Sequence, residues 1–545
     1  MMGKKYQGII VDVVNRCKFR GEITLKGNRI FSVRACEHEN SNYILPGFID
    51  AHVHIESSMT VPSSFARMVV PQGTVAVVSD PHEIANVMGE QGIDYMVENA
   101  NSVPLKIYFG VPSCVPATPF ESSGAVLDKN DVDRLLARKD LYYLSEMMNF
   151  PGVVYDDPDV MGKIEQAKKH NKLIDGHAPG LRGDNLRKYI QSGISTDHEC
   201  FLYEEAVEKI KLGMKILIRE GSAAKNFDEL CQLIDEYPEK VMLCTDDSHP
   251  ETLLEEGHID KIIKKGLGKG IGLFNLLNAA SVNPVRHYGL NIGLLQEGDP
   301  ADFIIVEDLN EFKVLETVIN GTSVYKGGEV LFLDIKPKPI NVFNREKITI
   351  DDVVLKAETA KIRVITATDG DLITGQEIHP PLVKDGNVIS DTSRDILKMV
   401  VMSRYKNEPV QVGFIKNIGI KKGAISSSIA HDSHNIIAAG VSDADIVSVV
   451  NKLIENKGGI VVGDKNMQSG LKLEVAGLMS IKTGTEVASL YKQLIEQAKK
   501  FGCRLESPFM TIAFMSLLVI PELKLGDKGL FDVNKFGFVD VFVQG

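Results

Sequence analysis

The chain has 545 residues, 44% of them hydrophobic and 25% charged, and its 61 basic and 73 acidic side chains leave a net charge of −12. That length exceeds a single hydrophobic core and implies two or three domains, and an acidic balance without a dense Lys/Arg stripe argues against a polyanion partner. The seven cysteines (17, 36, 114, 200, 231, 244 and 503) are odd in number and form no C-x-x-C pair, which excludes a disulfide framework and fits a reducing compartment.

The opening stretch MMGKKYQGIIVDVVNRC lacks the apolar core and small-residue cleavage site of a signal peptide. The longest apolar run, TIAFMSLLVIP, is too short to span a bilayer and ends in proline, so it reads as a buried helix or strand. A cytoplasmic protein without membrane contact is expected.

Residues 6–45 alternate short apolar runs with turns (GIIVDVV, GEITLKGNRIFSV, NYILPGF), the pattern of small β-strands. Residues 289–335 repeat that style. Segments 1–46 and 289–335 therefore read as one discontinuous, composite β-domain. Between them, residues 47–288 carry eight apolar runs, each ending in a polar cluster: YILPGFIDAHVH, GTVAVVSDPHE, LKIYFGVPSC, LYYLSEMMNF, KLIDGHAPG, GISTDHEC, MKILIREGS and KVMLCTDDSHP. Helical patterns such as DPDVMGKIEQAKKHN lie between several of them, and the Pro/Ser stretch after the third is the least regular. Eight βα units in this length match a (β/α)8 TIM-type barrel, an α/β fold. The proline-bearing stretch 336–345 reads as a linker. Residues 346–545 read as a C-terminal α+β domain, with VSDADIVSVVNKLIENKGGIVVGD and ASLYKQLIEQAKKFGC helical and HDSHN at 431–435.

In such a barrel the active site lies at the C-terminal ends of the strands. There the sequence places His52 and His54, then Asp80, His82 and Glu83, then Glu146, His177, His198 and Asp246. A lone His-x-His is more often a packing or surface arrangement. Polar groups at six strand ends are hard to assign to chance. Side chains at i and i+2 of a strand share a face, so His52 and His54 can both aim into the barrel mouth. Imidazole suits Zn, Fe, Mn or Ni, and carboxylates shift the preference to harder ions. The set suffices for two metals with Glu146 placed to bridge them, and paired metals polarise one hydroxide near neutral pH.

LPGFIDAHVH resembles the signature of the amidohydrolase superfamily of metal-dependent hydrolases, and GDPADFIIVE resembles its flanking composite β-domain. More closely, the chain resembles the adenine deaminases. HIESSM, SDPHEIANVMG, SEMMNFPGV, DGHAPGL, TDHE, TDDSHP and AHDSHN carry that likeness over essentially the whole length. The resemblance implies hydrolysis of adenine to hypoxanthine and ammonia, a purine-salvage reaction, with two divalent ions, Mn or Fe (Zn possible). It implies that His52 and His54 bind the first metal, His177 and His198 the second, and that Glu146 bridges where many relatives place a carboxylated lysine. Asp246 would ligate and shuttle a proton while hydroxide attacks C6, with Asp247 its rival. Glu83, with Asp80 and His82, is the candidate for binding the base and protonating N1, against an even alternative in which DPHE is a structural turn. Glu199 would orient an imidazole, and Arg219 and Ser222 could contact the base. His431 and His434 could close over the mouth, although a loop in a separate domain is the preferred reading. A homodimer is the habit of such barrels.

Three other functions compete. Cyclic-amide hydrolases such as dihydroorotase or hydantoinase usually need a lysine at the end of strand 4, where this chain has Ser145-Glu146. A non-enzymatic homologue would tend to lose metal ligands, and all six are present. A deaminase of nucleic-acid bases conflicts with the acidic charge, and no P-C-x-x-C set of the zinc nucleobase deaminases occurs.

Overall fold

The computed structural model of the chain describes residues 4–222, 224–369 and 371–543. Four strands open it: β1 (Lys5–Asp12), β2 (Cys17–Lys26), β3 (Arg29–Ala35) and β4 (Tyr43–Pro46). In β1, Tyr6 and Ile10 turn inward while Lys5 and Gln7 face water, the period of a sheet with one wet face. Gly47 then lets the backbone pass Val75 so closely that a Cβ would lie 2.2 Å from its side chain. There the chain enters the barrel.

The eight apolar runs form β5 (Phe48–His54), β6 (Thr74–Ser79), β7 (Lys106–Val111), β8 (Leu141–Met147), β9 (Ile174–Gly176), β10 (Thr196–Asp197), β11 (Lys215–Arg219) and β12 (Val241–Cys244). Every residue of β5 and β6 is buried, because parallel strands are covered on both faces. β5 to β9 pair in parallel in chain order, as do β10 to β12, and an Ile174–Ile194 bridge joins the two groups. The short β13 (Asp246–Asp247) pairs in parallel with β5 and closes the ring, setting Asp246 opposite Val53. After β7 the irregular stretch 112–128 ends in a helix, Lys129–Leu136, started by an Asp128–Asp131 capping box.

The chain then returns to the first sheet through β14 (Phe303–Val306), β15 (Val314–Ile319), β16 (Thr322–Lys326) and β17 (Glu329–Val330), in the order β17-β16-β15-β14-β4-β1-β2-β3. Its core holds Ile10, Ile23, Ile44, Phe303 and Val318, drawn from both ends of the barrel. Stretch 336–345 is irregular but anchored, since the amides of Asn344 and Arg345 donate to the Arg404 carbonyl.

A second eight-stranded sheet fills the C-terminal region, with Ile396–Met402, Ile436–Gly440 and Ala424–Ser427 adjacent near its middle. Helix Asp443–Asn456 covers one face; helices Gly484–Lys500 and Pro508–Phe514 pack on the other. The stretch read as one helix, VSDADIVSVVNKLIENKGGIVVGD, divides. Its helix stops at Asn456 because Lys457, Gly458 and Gly459 take positive φ, and Gly459–Gly463 becomes a strand. TIAFMSLLVIP contributes to the short helix Pro508–Phe514 and the turn beyond it. Among the described residues no helix is long and apolar enough to cross a membrane.

The C-terminal sheet sits against the barrel mouth. Thr60 bridges Ser480, and Lys492 meets Glu255 at 2.7 Å. Arg404 fixes the segment that reaches furthest in. Its buried guanidinium donates to the carbonyls of His434, Ala476 (2.6 Å) and Ser428 (2.5 Å). Arg404→Met removes these donors and leaves buried carbonyls unpaired, so it is expected to destabilise the fold by about 3 kcal/mol or more, read as a lowered midpoint in thermal or denaturant melting.

Candidate active site

The site starts at β5. Asp50 accepts the His52 amide at 3.2 Å and, from across the barrel seam, the amide of Thr245 (3.1 Å) and its hydroxyl (2.5 Å). This buried carboxylate ties the first strand to the last and sets the angle at which the two histidines leave the sheet. His54 Nδ1 donates to the Asp80 carbonyl at 3.2 Å, which turns its Nε2 into the barrel. There it lies 3.2 Å from His52 Nε2.

Glu146, at the end of β8, stands between two histidine pairs. One carboxylate oxygen is 3.1 Å from His54 Nε2 and 3.9 Å from His52 Nε2. The other is 2.7 Å from His177 Nδ1 and 3.2 Å from His198 Nε2. Burial alone would raise this carboxyl; the hydrogen bonds from His177, His198 and His54 overcome it and hold the group well below the usual carboxylate range. Asp246 completes the ring, 3.5 Å from His52 Nε2 and 3.2 Å from His54 Nε2. It adopts φ 56°, a left-handed conformation unusual for a residue with a side chain. Its second oxygen accepts from Arg219 Nη1 at 2.6 Å. Burial would raise Asp246, and Arg219 with His52 and His54 pulls it well below its ordinary value.

Four imidazoles and two carboxylates thus converge at the ends of five strands, all buried except the half-buried His177. Groups such as His52–His54–Asp246 and His52–Glu146–His198 place their nitrogen and oxygen atoms within 4.8 Å of one another, close enough to share divalent ions. The donor chemistry fits: nitrogen and carboxylate oxygen, with no cysteine along the cavity among the described residues.

The remaining sequence candidates fall around this centre. His82 faces the cavity, and Asp80 lies behind it, holding His82 Nδ1 at 3.0 Å. Burial would lower the His82 imidazole, but Asp80 and Glu83 raise it well above 6.5. Asp80 therefore meets His82 and does not line the cavity. Glu83 reaches the cavity, yet both its oxygens are occupied. His431 Nδ1 stands 2.9 Å from one, and His434 Nε2 donates to the other. Burial raises Glu83 and the two histidines with His82 pull it well below its usual value, so it is held as an anion. His431 and His434 are not in a detached loop. The serine-rich strand Ala424–Ser427 delivers them to the mouth, where the Glu83 carboxylate draws them in. Glu199 lies 3.3 Å from His198 Nε2 and pairs with Arg219, so Arg219 is consumed by two carboxylates. Ser222 is turned away, bonded to Thr252 and the His249 amide. Asp247 accepts from Ser57, which leaves Asp246 as the aspartate facing the histidines.

Two features escaped the sequence reading. Asp432, between the two C-terminal histidines, lines the cavity. Above the polar floor lies an apolar roof of Leu372, Phe514, Leu517, Val519 and Ile520. Buried Lys524 pins that roof by donating to the carbonyls of Leu372 (2.7 Å) and Phe514 (3.0 Å). Burial pushes its ammonium down to about 7. The i, i+3 histidines flanking an aspartate were the available signal for Asp432; the roof has none beyond its hydrophobicity.

A parallel barrel with paired histidines on its first strand and a carboxylate on its fourth that reaches both histidine pairs is the arrangement of an amidohydrolase-type site that could hold divalent ions. The family model described as "Amidohydrolase family" matches residues 43–324, and that described as "Adenine deaminase C-terminal domain" matches 371–537. The chain is 66% identical to an adenine deaminase of Methanosarcina mazei, over 99% of this chain and 100% of that protein. It is 67% identical to one of Methanosarcina barkeri (98% and 99% covered) and 51% identical to one of a Sulfurovum species (97% and 98%). The chain belongs to the adenine deaminase family of amidohydrolases.

The Glu83 clamp has a defined pH window. Burial lowers His431, but Glu83 more than compensates and raises it to about 9, so its contribution is complete below about 6.5 and is lost as pH rises toward 9. On the acid side, burial lowers His434 to about 4, so its contribution is lost as pH falls from about 6.5 toward 4, and that of the depressed Glu83 is lost below the ordinary carboxylate range. Hydrogen-exchange protection of residues 428–436, corrected for intrinsic rates, is expected to peak between these limits. Glu83→Gln is expected to lower it and flatten the profile.

Proposed function

We propose that the chain hydrolyses adenine to hypoxanthine and ammonia, using two divalent ions held by His52, His54, His177, His198, Glu146 and Asp246. The reading rests on Glu146: its carboxylate reaches both histidine pairs where cyclic-amide hydrolases carry a lysine, on a chain of adenine-deaminase type throughout. The all-imidazole and carboxylate donor set, lacking thiolate, favours manganese or iron, with zinc able to enter. Bound there, the ions would supply Lewis acidity and lower the pKa of a bound water.

The protein groups account for the proton traffic. Asp246 faces His52 and His54 and is kept ionised by Arg219, so it accepts a proton from the attacking water. It returns that proton to the exocyclic nitrogen, which leaves as ammonia when the C6–N bond breaks. The second proton of the water ends on N1 of the product. His82, charged and backed by Asp80, is the acid nearest to that task; Glu83, an anion with both oxygens engaged, holds the C-terminal loop instead. Glu199 positions Arg219, and its carboxylate lies beside the same His198 Nε2 that faces Glu146. The apolar roof excludes water from the base plane.

Protein expressed with manganese is expected to release ammonia rapidly from adenine and not from dihydroorotate; two bound metals without adenine turnover would overturn the substrate. Glu146→Gln is expected to lose metal, measured by elemental analysis, and at least about a thousandfold in kcat. Normal turnover with both metals retained would reject the bridging role.

A further inference from the structure

Nearly every charged group around the cavity is already engaged. Glu83 is held by His431 and His434, Glu199 and Asp246 by Arg219, Asp247 by Ser57, and Glu146 by the histidines. One exception stands out. Asp432 is only 4% exposed and lines the same cavity, and its Oδ2 is buried without a hydrogen-bond partner among the described residues. Its other oxygen lies 3.8 Å from His431 Nδ1 and 4.0 Å from His82 Nε2, both beyond hydrogen-bond distance. No other polar side-chain atom along this cavity is both fully buried and unpartnered among the described residues.

An orphaned buried carboxylate oxygen is costly, and such a group is kept where a ligand completes it. The loop that carries it is fixed from both sides. His431 and His434 are tied to Glu83 of the barrel, and the Arg404 guanidinium donates to the His434 carbonyl. Asn435 donates to the Ser122 carbonyl at 2.8 Å. The oxygen is therefore presented at a set place, as recognition of a small rigid ring requires.

The ligand follows from donor and acceptor chemistry. An ionised carboxylate only accepts hydrogen bonds. Adenine offers two kinds of donor, the exocyclic amine that departs and the imidazole N–H. Its N1, N3 and remaining imidazole nitrogen are acceptors. A nucleoside or a 9-alkyl purine lacks the imidazole N–H altogether.

We propose that Asp432 Oδ2 accepts the imidazole N–H of the purine, making it the residue that selects the free base over N9-substituted purines. This rests on adenine being the substrate. Burial pushes the Asp432 carboxyl up to about 6, which still leaves it an acceptor at neutral pH. The C-terminal region thereby supplies a substrate contact as well as a cover.

The test compares wild type, Asp432→Asn and Asp432→Ala on adenine and on 9-methyladenine, the latter as substrate or competitive inhibitor. Loss of a hydrogen bond to a buried charged acceptor corresponds to about 10- to 100-fold. Asp432→Ala is therefore expected to lower kcat/KM for adenine by that factor, mainly through KM, with metal content unchanged. The isosteric Asp432→Asn, which retains a carbonyl acceptor without the charge, should lose less. The KM or Ki of 9-methyladenine should stay within about twofold or improve, so discrimination collapses. Equal losses on both ligands, or loss of metal or of kcat alone, would make Asp432 structural and overturn the proposal, as would unchanged adenine kinetics in the Asn variant. Absence of adenine turnover by wild type would instead overturn the substrate reading.

Discussion

A buried carboxylate flanked by four imidazoles is the constraint around which this molecule is arranged. Glu146 is expensive to place in a protein interior, and the nitrogens of His54, His177 and His198 offset that cost. Those histidines come from three different strands and are useful only if the strands hold register. The Asp50 link to Thr245 across the barrel seam enforces this where the ring would otherwise be weakest. Around the centre, each further charge is answered by another: Asp246 and Glu199 by Arg219, His82 by Asp80, and Glu83 by His431, with His434 donating to its second oxygen as a neutral imidazole. The network extends outward until it meets the second sheet, so the C-terminal region is electrostatically continuous with the barrel floor.

That continuity divides the labour. The floor is polar and rigid, built on strand ends buried on both faces. The roof is apolar, built from a short helix and turn whose carbonyls are held by one lysine. A planar heteroaromatic ring suits such a space, with its edges against polar groups and its faces against hydrocarbon. The histidine and carboxylate floor belongs to the barrel, and the roof, with His431 and Asp432 at its edge, belongs to the C-terminal region.

Much of this could be read in the sequence because barrel strands repeat one local rule. An apolar run ending in His, Asp or Glu places that residue at the mouth whatever the rest of the chain does, and so the metal-binding candidates were legible one by one. Contacts set by tertiary packing were not. The role of Arg219 stayed open, with a base contact among the options, since nothing local shows that Glu199 and Asp246 take its guanidinium. Glu83 looked like a free acid because its partners lie about 350 residues away. VSDADIVSVVNKLIENKGGIVVGD looked like one helix because its apolar spacing persists through Gly458 and Gly459, where positive φ ends it. In each case a long-range partner or a backbone conformation outweighed the local pattern.

The meeting of Glu83 with His431 and His434 bears on how such a gene can change. Residues encoded in its first sixth and its last quarter must agree in charge, spacing and reach for the mouth to close. A change of charge or length on either side would leave a buried carboxylate or imidazole of the other without its partner, so each part limits the substitutions the other can accept.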